Sequence, residues 1–260
     1  MEPRMAPGDP SQNQARGDEA SPETDPHPLR PTDMLHAFPR LATIALTIVA
    51  ILIVVSQCRK PWSPVGRGFA WLMNRTHAAV TQWGLDHVTV GPGDTILDVG
   101  CGGGQTVRTL AGMGRMVHGV DYSPVSVAAA MKQNADLIAD GRVQIRQASV
   151  SQLPFPDGTF DMVTAVETHY FWPDPVNDFK EVLRVLKPGG TLLVIAETHK
   201  DQALGALMIL PMLLVRARYL SVEEHREMLA AAGFTDIQID RIPLKGWICA
   251  VGKRPVAQAA

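Results

Sequence analysis

The sequence predicts a doubly wound α/β domain on a mostly parallel, seven-stranded sheet, and three observations predict it. Short apolar segments alternate with stretches of helical periodicity from about residue 91 to 253, the pattern of strands joined by crossover helices. The run Thr95-Ile96-Leu97 leads into Asp98-Val99-Gly100-Cys101-Gly102-Gly103-Gly104, a turn where glycine allows positive φ and leaves no Cβ between backbone and ligand. A second acid, Asp121, closes the next strand-like segment about 20 residues on, where nucleotide-binding folds of this class place the carboxylate that accepts ribose hydroxyls.

In chain order, Gly91-Pro92-Gly93-Asp94 turns into the strand TILDVG, and a helix follows from Gln105. Then come MVHGVD, a helix from about Pro124 with Ser123 as its cap, VQIRQA, FDMVTAV, a helix from Val176, and TLLVIAE. Lys187-Pro188-Gly189-Gly190 reads as the turn before the fifth strand, with Pro stopping the helix and the glycines reversing the chain. A helix over Tyr219 to Ala232 precedes TDIQID and WICAVGK, which have no helix between them and so read as an antiparallel terminal pair. Ahead of the first strand, Phe69, Leu72, Met73, His77, Val80 and Trp83 suggest one or two amphipathic helices ended by Gly84.

Composition narrows the partners. A formal charge of −2 without a basic stripe argues against nucleic acid. Cys58, Cys101 and Cys249 have no C-x-x-C spacing, so neither a disulfide framework nor a metal site is indicated. Residues 1–36 are rich in Pro, Asp, Glu, Ser and Gln and read as a disordered tail. Residues 41–58 carry no charge, and Leu41 to Val55 reads LATIALTIVAILIVV, which at about 1.5 Å per residue comes close to the ~30 Å hydrocarbon core. This predicts a single-pass anchor within 37–58. Arg59, Lys60, Arg67 and Arg75 follow it and an acidic tail precedes it, so the domain beyond would face the cytoplasm. Two other readings stay open. A cleaved or lipidated signal is weakened by the start at residue 41 and by Gln57 before Cys58, though initiation at Met34 would favour it; a core helix is weakened because only Thr43 and Thr47 interrupt the run. Residues 59–90 would form a helical cap on a domain over 91–255.

The glycine turn departs from the dinucleotide fingerprint G-x-G-x-x-G, because Gln105 stands where the third glycine is required. The pattern D-x-G-x-G-x-G instead resembles motif I of the class I S-adenosylmethionine-dependent methyltransferases. Leu153-Pro154-Phe155, Phe160-Asp161, the Lys187-to-Gly190 turn and the terminal strand pair extend the resemblance, which is closest to the type 11 group, over about residues 91 to 253. It implies a Rossmann-like fold and S-adenosylmethionine as cofactor. Gly100, Gly102 and Gly104 would approach its methionine part and Asp98 would contact that part directly or through water. Asp121, with Tyr122 beside it, would hold the ribose. Ser149 and Val150 would border the adenine, Ser149 standing where many relatives carry an aspartate.

After the fourth strand, Glu167-Thr168-His169-Tyr170-Phe171-Trp172-Pro173-Asp174 gathers titratable and aromatic groups at the sheet edge where ligands bind. Glu167, His169 and Tyr170 are the candidate contacts for the methyl acceptor, with His77 and Asn74 on the segment over the pocket. The apolar stretch Ala203 to Val215 is too short to cross a bilayer and reads as an acceptor lid, as core packing or as shallow membrane contact. The expected activity is methyl transfer to a small-molecule or lipid-like acceptor at a membrane. The alternative is a protein that binds the cofactor without turnover. Oligomeric state is not legible.

Overall fold

The computed structural model describes residues 77–256. Helix α1 (Ala78–Leu85) precedes β1 (Thr95–Val99), α2 (Gln105–Ala111), β2 (Met116–Asp121), α3 (Pro124–Gln133), α4 (Ala135–Ala139) and β3 (Val143–Gln147). Next come β4 (Phe160–Val166), α5 (Pro175–Val185), β5 (Leu186–Ala196), α6 (Ile209–Leu214), α7 (Val222–Ala232), β6 (Thr235–Ile242) and β7 (Trp247–Lys253). The strands form one sheet in the order β3-β2-β1-β4-β5-β7-β6, with β7 antiparallel to both its neighbours and the other pairs parallel. The order reverses between β1 and β4, and that switch point opens a crevice at their carboxyl ends.

Side-chain alternation builds two core layers from the same strands. Leu97 of β1 and Leu192 and Val194 of β5 pack with Phe179 and Val182 of α5 and Leu229 of α7. Their neighbours Ile96, Leu193 and Ile195 turn to the other face, against Val80 of α1 and Val107 and Leu110 of α2. Burying each such side chain contributes roughly 1.5–3 kcal/mol, so a helix on either face is needed to hold strands this apolar flat.

The helix starts follow their caps. Ser123 Oγ accepts the Ser126 N–H ahead of Pro124 at the first turn of α3. Helix α7 begins at Val222 rather than Tyr219 because Ser221 and Glu224 form a reciprocal capping box. Gly84 does not end α1; it is buried inside the helix, where a Cβ would overlap the Ile195 side chain, so it lets α1 lie close on β5. The Lys187-to-Gly190 turn proves to be an excursion within β5. Phe160 pairs with Leu186 and Met162 with Thr191, so residues 187–190 loop out opposite Asp161, whose carboxylate takes Lys187 Nζ at 2.8 Å.

Residues 203–215 form a 3₁₀ turn, Gly205–Met208, and α6. They do not line the crevice, and most of their apolar side chains point outward. The tail, the 41–58 run and residues 59–76, including Asn74, lie outside the described residues. Among the described residues no helix is long and apolar enough to cross a membrane.

Candidate functional site

The crevice at the carboxyl edge of β1, β2 and β4 encloses about 460 Å³, within the ~300–1,000 Å³ usual for small-molecule sites. Its floor is the glycine turn, where Gly100, Gly102 and Gly104 all have positive φ, between 51° and 84°. A Cβ on Gly100 would overlap Thr168 Oγ1, whereas one on Gly102 would meet nothing within 4 Å. The first glycine therefore lets two segments touch, and the second keeps the floor open to a ligand. Gly100→Ala is expected to destabilise the protein by about 2–4 kcal/mol, from the left-handed penalty plus overpacking, read as a lower midpoint in thermal unfolding.

Asp121 closes one side. Its Oδ2 accepts the Gly102 N–H at 3.0 Å and its Oδ1 the Ser123 N–H at 2.8 Å. Burial raises its pKa while these bonds and one from the Ser126 side chain pull it down, and the carboxylate keeps acceptor capacity beyond these three bonds. Asp98 sits deeper, with Oδ1 accepting Thr164 Oγ1–H at 2.7 Å from the neighbouring strand. Burial drives its carboxyl up to about 7, against that bond and with a further push from Asp121. Tyr122, Ser149 and Val150 line the far end. The Ser149 hydroxyl accepts the Ser151 N–H at 3.3 Å and keeps its own proton to donate.

These groups fit S-adenosylmethionine. An open glycine floor, a half-satisfied carboxylate at the end of β2 and a deep carboxyl that a cation would ionise match a backbone-hugging chain, ribose hydroxyls and an ammonium.

The other wall follows β4. Glu167 has φ 55°, so the side-chain alternation of the strand breaks at this residue. Its Oε2 accepts the Tyr170 hydroxyl at 2.6 Å, while Oε1 is enclosed without a hydrogen-bond partner even though the residue as a whole keeps partial exposure along the crevice. Burial pushes this carboxyl up to about 8, the Tyr170 bond opposing and the charge of Glu197 adding to the rise.

Of the three acceptor candidates, Glu167 lines the crevice, Tyr170 supports it from behind, and His169 is not on the wall. His169 Nε2 lies 3.0 Å from His225 Nε2, and His225 Nδ1 lies 2.6 Å from the Ser221 carbonyl. Only one tautomer set satisfies both contacts: His225 donates through Nδ1 and accepts through Nε2 from His169. Burial, then mutual repulsion, holds His169 far below its ordinary pKa, and burial lowers that of His225. This pair ties the turn after β4 to the start of α7.

His77 lines the crevice opposite, with Nε2 3.4 Å from Oε2 of Glu197. Burial lowers the pKa of His77 and raises that of Glu197. Glu197, at the end of β5 beside the end of β4, and Thr168, which fills the space over Gly100, escaped the sequence reading. The signal for Glu197 was an acid at the ligand-binding edge of a central strand.

Residues 97–194 match the family model described as a methyltransferase domain. The chain is 37% identical over 172 residues to the 2-methyl-6-phytyl-1,4-hydroquinone methyltransferase of Synechocystis sp., covering 62% of this chain and 52% of that one. It is 27% identical over 192 residues to the uncharacterized methyltransferase YdaC of Bacillus subtilis, covering 71% and 97%. The chain thus spans about half the length of the first of these relatives. Among solved structures, the geranyl diphosphate C-methyltransferase of Streptomyces coelicolor, in complex with S-adenosyl-L-homocysteine, superposes with a TM-score of 0.60 at 19% identity over 69% of this chain and 77% of that one, a likeness of fold. The domain match over residues 97–194, these relatives, the 3-2-1-4-5-7-6 sheet and the glycine floor between two acids support a class I S-adenosylmethionine-dependent methyltransferase domain in this chain.

Proposed function

We propose that this protein transfers the methyl group of S-adenosylmethionine to a small apolar acceptor bearing a hydroxyl, and does so tethered to a membrane by residues 41–58, with its catalytic domain on the cytoplasmic side. The observation that carries the reading is that His77, held 3.4 Å from Glu197, and Glu167 face the same crevice as Val166, Phe171, Trp172 and Pro173. An apolar body fits the aromatic side, and its hydroxyl meets His77 and Glu167.

When bound, the cofactor supplies an electrophilic methyl on sulfonium sulfur. Asp121 holds the ribose, Ser149 and Val150 border the base, and the floor at Gly102 lets the methionine part lie close. On the acceptor side, Glu197 turns Nε2–H of His77 toward itself, which leaves Nδ1 to take the acceptor proton. A turn of the Glu167 carboxyl out of its enclosed position would let it donate to the acceptor oxygen and orient it. The cofactor would supply the methyl, its sulfur keeping the electron pair of the broken sulfur–carbon bond as the acceptor oxygen takes the carbon, and neutral His77 would hold the hydroxyl proton. The 2-methyl-6-phytyl-1,4-hydroquinone methyltransferase relative, named for an apolar, hydroxyl-bearing compound, supports this acceptor class.

The test is transfer of radiolabelled methyl from S-adenosylmethionine into extracts of the source cells, with the protein added and the fractions separated. Label in the organic-soluble fraction is expected. Label only in the aqueous fraction would overturn the acceptor class, and none anywhere, with the cofactor still bound, would show a binding protein without turnover. For the tether, the full chain should stay with membranes and the chain lacking residues 1–58 should not.

A further inference from the structure

The 203–214 excursion presents an apolar surface with no cover among the described residues. Leu204, Leu207, Ile209, Leu210, Leu213 and Leu214 are each between 48% and 76% exposed, whereas Met212 alone turns inward, 7% exposed. The Ala203 N–H donates to the Pro243 carbonyl at 3.0 Å, which brings Leu244, 90% exposed, beside the same surface. A contiguous group of large exposed side chains marks an interaction site.

The charges around it choose the partner. Arg216 and Arg218 follow the end of α6 and are exposed, Arg218 also donating to the Pro173 carbonyl at 2.9 Å, and Arg241 and Lys245 flank Leu244, with Lys245 Nζ 4.2 Å from the Trp247 ring centre. The acids nearby are Asp240 and Asp201, and Asp201 is engaged with the Val222 N–H at 2.7 Å. Apolar residues ringed by Arg and Lys match the headgroup zone of an anionic bilayer, where such a surface sinks about 5–10 Å. Two copies packed through this face would oppose like charges. Chain length keeps the domain within reach of the bilayer once the tether holds, which is the reading this inference rests on: residues 61–76 separate Lys60 from the described domain, and at ~3.5 Å each they reach only about 56 Å.

The surface also backs the acceptor wall. Met212 packs with Tyr170 in one apolar cluster, and Phe171, packed on that cluster, lines the crevice. We propose that the 204–214 excursion and Leu244 insert into the interfacial zone of an anionic bilayer, set the acceptor wall against it, and make the acceptor a molecule dissolved in that bilayer.

The test uses the full chain carrying Cys58→Ser and Leu210→Cys, labelled at residue 210 with an environment-sensitive nitrobenzoxadiazole probe, Cys101 and Cys249 being buried. The protein is mixed with vesicles of phosphatidylcholine and phosphatidylglycerol. Flotation reads the tether and probe emission reads the surface. The expected result is a several-fold rise in emission, quenching by lipids brominated near the headgroup, and shielding from aqueous iodide. The same labelled chain with Leu207→Asp and Leu213→Asp should float with the vesicles and bind S-adenosylmethionine as before, yet lose that shielding. A chain that floats with a water-exposed probe overturns the inference and leaves the tether standing. Shielding without quenching by brominated lipid overturns it in favour of a protein cover, whether a second copy or the chain's own N-terminal region. A chain that neither floats nor changes emission overturns both. None of these readings depends on methyl transfer.

Discussion

Asp121→Ala is expected to weaken S-adenosylmethionine binding by about a hundredfold or more, measured by calorimetry. Hydrogen bonds to a charged group contribute about 1.5–3 kcal/mol each, and the alanine removes those to two ribose hydroxyls. It also frees the Gly102 and Ser123 N–H groups that the carboxylate now fixes, so the floor and the cap of α3 loosen together. Asp121→Asn separates the two roles, since its single oxygen restores one backbone bond without the charge. It should fall between wild type and alanine. Unchanged affinity in both variants would remove Asp121 from the ribose site.

The second large effect is on the pH dependence of kcat/KM. His77 must be neutral to accept a proton, and its pKa lies below 6.5 because burial disfavours the cation. Activity should therefore fall as pH drops below that range. Glu167 must keep its proton to donate to the acceptor, and its carboxyl titrates near 8, so activity should fall again as pH rises through 8. The profile is a bell with its maximum between. His77→Gln should lower kcat/KM by about 10²–10⁴ and flatten the acid limb, the residual rate coming from alignment of the two substrates. Glu167→Gln retains a donor that cannot ionise, so it should be only modestly slower near neutrality and should lose the alkaline limb. A wild-type profile in both variants would take the two residues out of the chemistry. Loss of the wrong limb would exchange their roles.

Most of the framework was legible in the chain because it rests on short-range rules. Short apolar segments alternating with helical stretches placed all seven strands, and the glycine spacing and the acid at the end of β2 marked the crevice. What could not be read depended on direction after regular structure stops. Glu167 adopts a left-handed backbone, so the alternation that aims side chains along β4 says nothing about His169 and Tyr170, and one was placed at the site although it faces His225. Gly84 resembles a helix stop in sequence, but its small size serves a contact with Ile195, a residue 111 positions away in the chain. The Lys187-to-Gly190 stretch has turn composition, yet pairing on both sides of it keeps it within a strand. The 203–215 excursion was apolar enough to suggest a lid, and only the fold shows that its leucines point away from the crevice.

The overlap that a Cβ at residue 100 would create with Thr168 has a consequence for the order of events. Thr168 belongs to the segment that bounds the acceptor, and it accepts the indole N–H of Trp172 at 3.4 Å. A single residue, Thr168, thus joins the glycine turn to the aromatic side of the crevice. Any shift of residues 168–172 that admits an acceptor leans on the turn beneath the methyl donor. The two substrates are then energetically coupled, and by reciprocity each changes the affinity of the other by the same factor.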